Sequence, residues 1–140
     1  MNGRLRIRLA FLALATGLAA PLPAQEIVVV VSARSTIGAL SESEIADIFL
    51  GRLGRLGNTV VTPLDQAEGS PARDEFYREF TGKSPAQVKA LWSKLIFTGR
   101  GRPPRALASD AEVLQALRDN PGAIGYVRRS SVDNSARILR

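Results

Sequence analysis

Ile27 to Val31 is an unbroken run of β-branched residues. No polar position interrupts it, so it reads as a strand buried on both faces, as in a parallel or mixed sheet. Ser32 to Leu40 is rich in small and hydroxyl residues and predicts a loop. A helix then starts at Ser41, where Ser41 and Glu44 make the S-x-x-E capping box and Leu40 and Ile45 can close a hydrophobic staple. Ile45, Ile48 and Phe49 fall on one face, and Gly51 is the stop signal. Residues 51–58, with glycines and two arginines, predict a loop. Val60 to Thr62 predicts a short strand ended by Pro63.

Three more helices have legible starts. Ser70 followed by Pro71 opens the second, with Phe76, Tyr77 and Phe80 as its apolar face and Gly82 as its end. Ser84 opens the third with Gln87 as its box partner, and Val88, Leu91, Trp92, Leu95 and Ile96 recur at helical spacing. Phe97 is grouped with the core aromatics Trp92, Phe49, Phe76 and Phe80. Thr98 to Arg105, rich in Gly, Pro and Arg, predicts a loop. Ser109 opens the fourth helix with Glu112 as box partner, and Val113, Leu114 and Leu117 are its buried face. After the Asn120-Pro121-Gly122 break, Ala123 to Val127 predicts a strand in which Gly125 marks a close approach. Ala136 to Leu139 predicts a last short strand. Strands at both ends with helices between them predict an α/β layer architecture.

The first 24 residues have a different character. Arg4, Arg6 and Arg8 precede an apolar stretch from Leu9 to Ala20, and Pro21-Leu22-Pro23-Ala24 leads into Gln25. That is the order of a secretory signal with cleavage expected after Ala24. The apolar stretch is shorter than the ~20 residues a bilayer span needs. The expectation is an exported, periplasmic domain over residues 25–140, with no stable membrane insertion after cleavage. Beyond the signal the chain has 16 basic and 13 acidic residues, a balance of +3. A mild positive charge fits an anion ligand or an anionic surface.

The sequence has no Cys and no His. The usual zinc ligands, the Cys nucleophile and the His general base are therefore missing. No enzymatic activity, cofactor or metal is expected. The arginines at 100, 102 and 105 have no interleaved aromatics to stack on bases, and export argues against nucleic acid. They predict a solvated face.

Four segments, "LSESEIADIFLG" (40–51), "EGSPARDEFYREFTG" (68–82), "LWSKLIFTGRGRPP" (91–104) and "PGAIGYV" (121–127), together resemble phosphate-binding proteins of ABC transporters. They are still more similar to short, single-lobe exported proteins described as phosphate-transporter substrate-binding-like. The resemblance spans most of residues 27–139. It implies a type 2 periplasmic-binding-protein-like fold in one lobe, a mixed sheet flanked by about four helices. It also implies a small oxyanion such as phosphate as ligand, and a membrane permease or sensor protein as partner. In the two-lobed relatives the lobes close on one anion; a single lobe leaves an open half-site.

The candidate site lies at the start of the second helix. A helix N-terminus presents free N–H groups and a partial positive charge, and can hold phosphate or sulfate. Ser70 offers its hydroxyl and Arg73 a charge-assisted contact from the first turn, with Gly69 beside them. A cap alone, without ligand, also explains Ser70 and is the simpler reading of it. The resemblance sets this stretch against Arg-x-Asp-Gly-Ser-Gly-Thr: Gly69 and Ser70 match, and Glu68 keeps a carboxylate that could accept a proton from hydrogenphosphate. Gln66 replaces the Arg and Ala72 the Thr, which removes donors. Arg34 and Ser35 form a second candidate cluster, placed beside the first if strand 27–31 runs parallel to its neighbours. The alternative function is a protein-interaction or sensory module that keeps the fold and has lost the ligand.

Overall fold

The computed structural model describes Gly17 and residues 26–140. The predicted signal segment and its cleavage point lie outside the described residues, Gly17 apart. The chain runs β1 (Ile27–Ser32), α1 (Glu42–Phe49), β2 (Arg55–Leu56), β3 (Thr59–Val60), β4 (Thr62–Gln66), α2 (Pro71–Thr81), α3 (Pro85–Phe97), β5 (Arg105–Leu107), α4 (Asp110–Asp119) and β6 (Ala123–Arg128). A single 3-10 turn (Arg129–Ser131) and β7 (Ala136–Ile138) complete it. Five strands form one mixed sheet in the order β5-β4-β6-β1-β7. β4 is parallel to β5 and β6, whereas β1 is antiparallel to β6 and β7.

All six residues of β1 are buried, as the apolar run predicted. Alternate side chains serve two cores. Ile27, Val29 and Val31 join Ile124 and Tyr126 under α1, α2 and α3, while Val28 and Val30 join Leu64, Val127 and the α4 residues Val113, Leu114 and Leu117. The sheet is thus sandwiched between helices, and strand alternation alone divides the two apolar sets. Gly125 sits where α4 crosses β6: a Cβ there would lie 2.7 Å from Val113 Cγ1.

The predicted caps of α1, α2 and α3 form. Ser41 and Ser84 make reciprocal boxes with Glu44 and Gln87. Ser109 caps α4 through the Glu112 N–H, but the Glu112 carboxylate accepts from Ala108 N at 2.8 Å, so no reciprocal box closes there.

Other expectations need correcting. The one strand predicted over Val60–Thr62 is divided: Val60 ends β3, and β4 starts at Thr62 and runs through Pro63 to Gln66. Thr62 N donates to Gly122 O, so the next residue faces away from β6, toward a level where β5 has not begun. Pro63 therefore costs the ladder no hydrogen bond. Residues 51–58 contain half of a two-strand hairpin, β2 with β3, and the 98–105 loop ends in β5. Ile96 and Phe97, assigned to the core by spacing, are 55% and 92% exposed, because α3 buries only Val88 and Trp92 fully.

Candidate functional site at the opening of helix α2

The parallel strands β4, β5 and β6 all end on one edge of the sheet. The helices that follow β4 and β5 therefore both begin there, α2 at Ser70 and α4 at Ser109. Ligands of open α/β sheets gather at this edge. Residues 67–69 make the turn into α2. Ser70 N donates to Ala67 O, and Gly69 takes φ 85°, the left-handed region that glycine enters without a Cβ clash. Ser70 then adopts extended backbone, its Oγ accepts from Arg73 N at 3.4 Å, and Pro71 occupies the first helical position.

Beneath this turn lies a buried polar cluster. Asp65, 3% exposed, accepts the Tyr77 hydroxyl on Oδ2 at 2.7 Å, and accepts the Tyr126 hydroxyl and Gln66 N on Oδ1, the latter at 2.8 Å. Tyr126 OH also accepts from Gln66 N at 3.1 Å. Burial pushes both tyrosine hydroxyls well above their ordinary ionisation range, and the Asp65 carboxylate pushes them further. The two phenols therefore stay protonated and donate to Asp65.

Arg73 reaches back to this carboxylate. Its Nε lies 3.4 Å from Asp65 Oδ2, its side chain is 16% exposed, and its guanidinium carbon sits 5.5 Å from the centre of the Tyr77 ring. Nε itself is buried without a well-formed hydrogen bond. The guanidinium is thus held next to the α2 tip by one carboxylate and one ring face, and its terminal amino groups make no hydrogen bond among the described residues.

Gln66 is committed to structural hydrogen bonds. It is 4% exposed, and its Nε2 donates to Asp110 Oδ1 at 2.8 Å and to Tyr126 O at 3.1 Å. Asp110 Oδ2 in turn accepts from Ser131 Oγ at 2.7 Å and Arg128 N at 3.1 Å. The Asp110 carboxylate at the start of α4 is therefore engaged by the protein's own donors, and Gln66 ties it to β6.

The structure brings Gly69, Ser70 and Arg73 together. Glu68 is adjacent, but its carboxylate pairs with Lys89 Nζ at 3.3 Å on the surface. Arg34 and Ser35 do not join them. β1 is antiparallel to β6, so its carboxyl end lies at the opposite edge of the sheet, and the condition set for this second cluster fails. There Arg34 Nη2 donates to Arg118 O in the last turn of α4 at 2.6 Å, and Ser35 Oγ accepts from Ile37 N at 3.1 Å. A cation on the carbonyl end of a helix and a hydroxyl closing a turn are structural roles.

Sequence reading missed Asp65, Tyr126 and Asp110 as one unit. The available signal was an acid, Asp65, near the end of the strand Thr62–Gln66. Surface hollows of about 390, 300 and 600 Å³ flank α4 and the 99–103 loop, and none of these three is lined by Ser70 or Arg73.

No family model matches the sequence, and no curated protein matches it. Solved structures do match its fold. An ABC-type phosphate transport receptor from Vibrio cholerae aligns at TM-score 0.64 and 15% identity, over 81% of this chain and 45% of its own. A protein described as a phosphate ABC transporter substrate-binding protein, with bound phosphate, from Clostridium perfringens aligns at TM-score 0.62 and 18% identity, over 81% and 44%. PstS from Borrelia burgdorferi gives 0.55 and 17%, over 81% and 46%. The chain spans less than half the length of each. Its fold is that of the substrate-binding proteins of phosphate ABC transporters, in the extent of a single lobe.

Proposed function

We propose that this chain is an exported, periplasmic solute-binding-like protein that takes a small oxyanion, phosphate or a near equivalent, at the opening of α2, in connection with phosphate ABC transport. The observation that carries this reading is the coincidence of Gly69, Ser70 and the Arg73 guanidinium at the carboxyl edge of the parallel strands. The fold shared with phosphate-transport proteins supports it. Ser70 would turn its hydroxyl to the anion, the first amides of α2 would supply the helix field, and Arg73 would add the charged donor. Binding, without chemistry, is the role such a set can perform. A permease or a sensor is the membrane partner this reading implies.

One lobe limits the affinity. A charge-assisted hydrogen bond of about 1.5–3 kcal/mol and a helix-terminus contribution of about 0.3–1 kcal/mol sum to roughly 2–4 kcal/mol, a Kd near 1 mM or weaker. Isothermal titration with phosphate and sulfate tests this. Ser70→Ala should weaken binding by about 1 kcal/mol, roughly fivefold. A second reading, an interaction or sensory module without ligand, is favoured by Gln66 being locked into the core and Arg73 being turned to Asp65. A flat titration with folded protein would leave only this second reading.

A further inference from the structure

The end of α3 presents a feature that oxyanion binding at α2 does not use. Phe97 is 92% exposed and its neighbour Ile96 55%. They are the last two residues of the helix, an apolar pair left uncovered by the protein.

The charge along this stretch of chain is one-sided. From Lys83 to Ser109 the chain carries Lys83, Lys89, Lys94, Arg100, Arg102 and Arg105 and no Asp or Glu, while the rest of residues 26–140 holds ten basic and thirteen acidic residues. Of these six cations only Lys89 has an ion pair, with Glu68; the other five make no salt bridge or side-chain hydrogen bond among the described residues.

The tip is also held in shape. Gly99, at φ 67°, lets its own N–H reach Ile96 O at 3.1 Å and Arg100 N reach Leu95 O at 2.9 Å, the paired closure of a helix end. Gly101 packs back on the helix, where a Cβ would stand 3.6 Å from the Trp92 ring and 3.7 Å from Leu95 Cβ. Arg100 and Arg102 thereby flank Gly101 on the helix end and line one surface hollow with Ile96.

We infer that this tip seats the protein on an anionic phospholipid surface, with Phe97 and Ile96 entering the headgroup boundary and Lys94, Arg100 and Arg102 lying among the phosphates. Charge complementarity points to an anionic occupant. The shape favours lipid over a folded protein: a lone protruding ring needs a matching pocket in a rigid partner, whereas a bilayer accepts it without one. Unpaired cations spread over a helix and a loop suit mobile headgroups in the same way. The inference is independent of the oxyanion reading, because no residue of the α2 tip takes part.

The test uses the chain from Gln25 onward, which contains every residue of both apolar clusters, and vesicles of phosphatidylglycerol with phosphatidylcholine against phosphatidylcholine alone. Cosedimentation is expected with the anionic vesicles only, and it should fall as salt rises. Phe97→Ser with Ile96→Ser, and separately Arg100→Glu with Arg102→Glu, should each weaken it by about tenfold. Both pairs are at the surface, so an unchanged melting temperature verifies the fold. Absence of wild-type binding to anionic vesicles, equal binding to neutral ones, or undiminished binding by both variants overturns the inference. So does release by free phosphate at constant ionic strength, or retention on an acidic polypeptide without binding to vesicles.

Discussion

Replacing Asp65 by Asn keeps the shape of the side chain and removes its charge. In the native protein one carboxylate accepts from Tyr77 OH, Tyr126 OH and Gln66 N, and faces Arg73 Nε. Asn has one acceptor oxygen and one donor group. An amide NH2 toward Gln66 would oppose two donors, so the oxygen must take the Oδ1 position and the NH2 must face Tyr77 and Arg73. Two hydrogen bonds, from Gln66 N and the Tyr126 hydroxyl, change from charged to neutral at about 1 kcal/mol each, the Tyr77 hydroxyl loses its acceptor, and a largely buried guanidinium loses its counter-ion. The expected loss is about 3–4 kcal/mol, a large share of the roughly 5–15 kcal/mol that keeps a domain folded. Urea denaturation of wild type and Asp65→Asn measures it. A loss under about 1 kcal/mol would refute the cluster as a stabilising unit. A second readout concerns the anion: with Arg73 no longer neutralised, phosphate should bind Asp65→Asn more tightly than wild type under conditions where the variant is folded. Equal or weaker binding would remove Arg73 from the proposed site.

Gly125→Ala places a methyl 2.7 Å from Val113 Cγ1 and should destabilise the fold by about 1–3 kcal/mol. Adding Val113→Ala should recover part of that loss in a double-mutant cycle, and strict additivity would contradict the packing account. Alkaline pH is the other probe of the polar cluster. Tyr77 and Tyr126 ionise near their ordinary value of 10.0 when unfolded but are raised well above it in the fold, first by burial and then by Asp65. The unfolded chain then binds fewer protons, so stability is complete below pH 10 and declines as pH rises beyond it, by up to about 1.4 kcal/mol per unit for each tyrosine. Chemical denaturation across that range should show the decline, and a flat profile would mean that the hydroxyls are not held protonated.

Much of the fold was legible in the order of residues, because local signals carry it. The β-branched run of β1, the serines opening four helices and the 3.6-residue spacing of Ile45, Ile48 and Phe49 act over a turn or a strand. The strand through Pro63 was hidden because a proline is tolerated only where a neighbouring strand is missing, which is a property of the sheet. The exposure of Phe97 was hidden for a related reason: helical spacing says which side chains share a face, and only the arrangement of α2 and α3 says how much of that face is covered.

The candidate site divides the same way. Sequence alone determined that a Gly69-Ser70-Pro71 turn opens a helix and that Arg73 follows one turn later, since capping is local chemistry. Tertiary structure decided which partners those residues meet. Strand direction sent Arg34 and Ser35 to the far edge of the sheet, because β1 runs against β6. Register brought Tyr126, sixty-one residues away from Asp65, onto the same carboxylate. A hydrogen bond between distant segments depends on strand order and pairing, which no short stretch of sequence encodes.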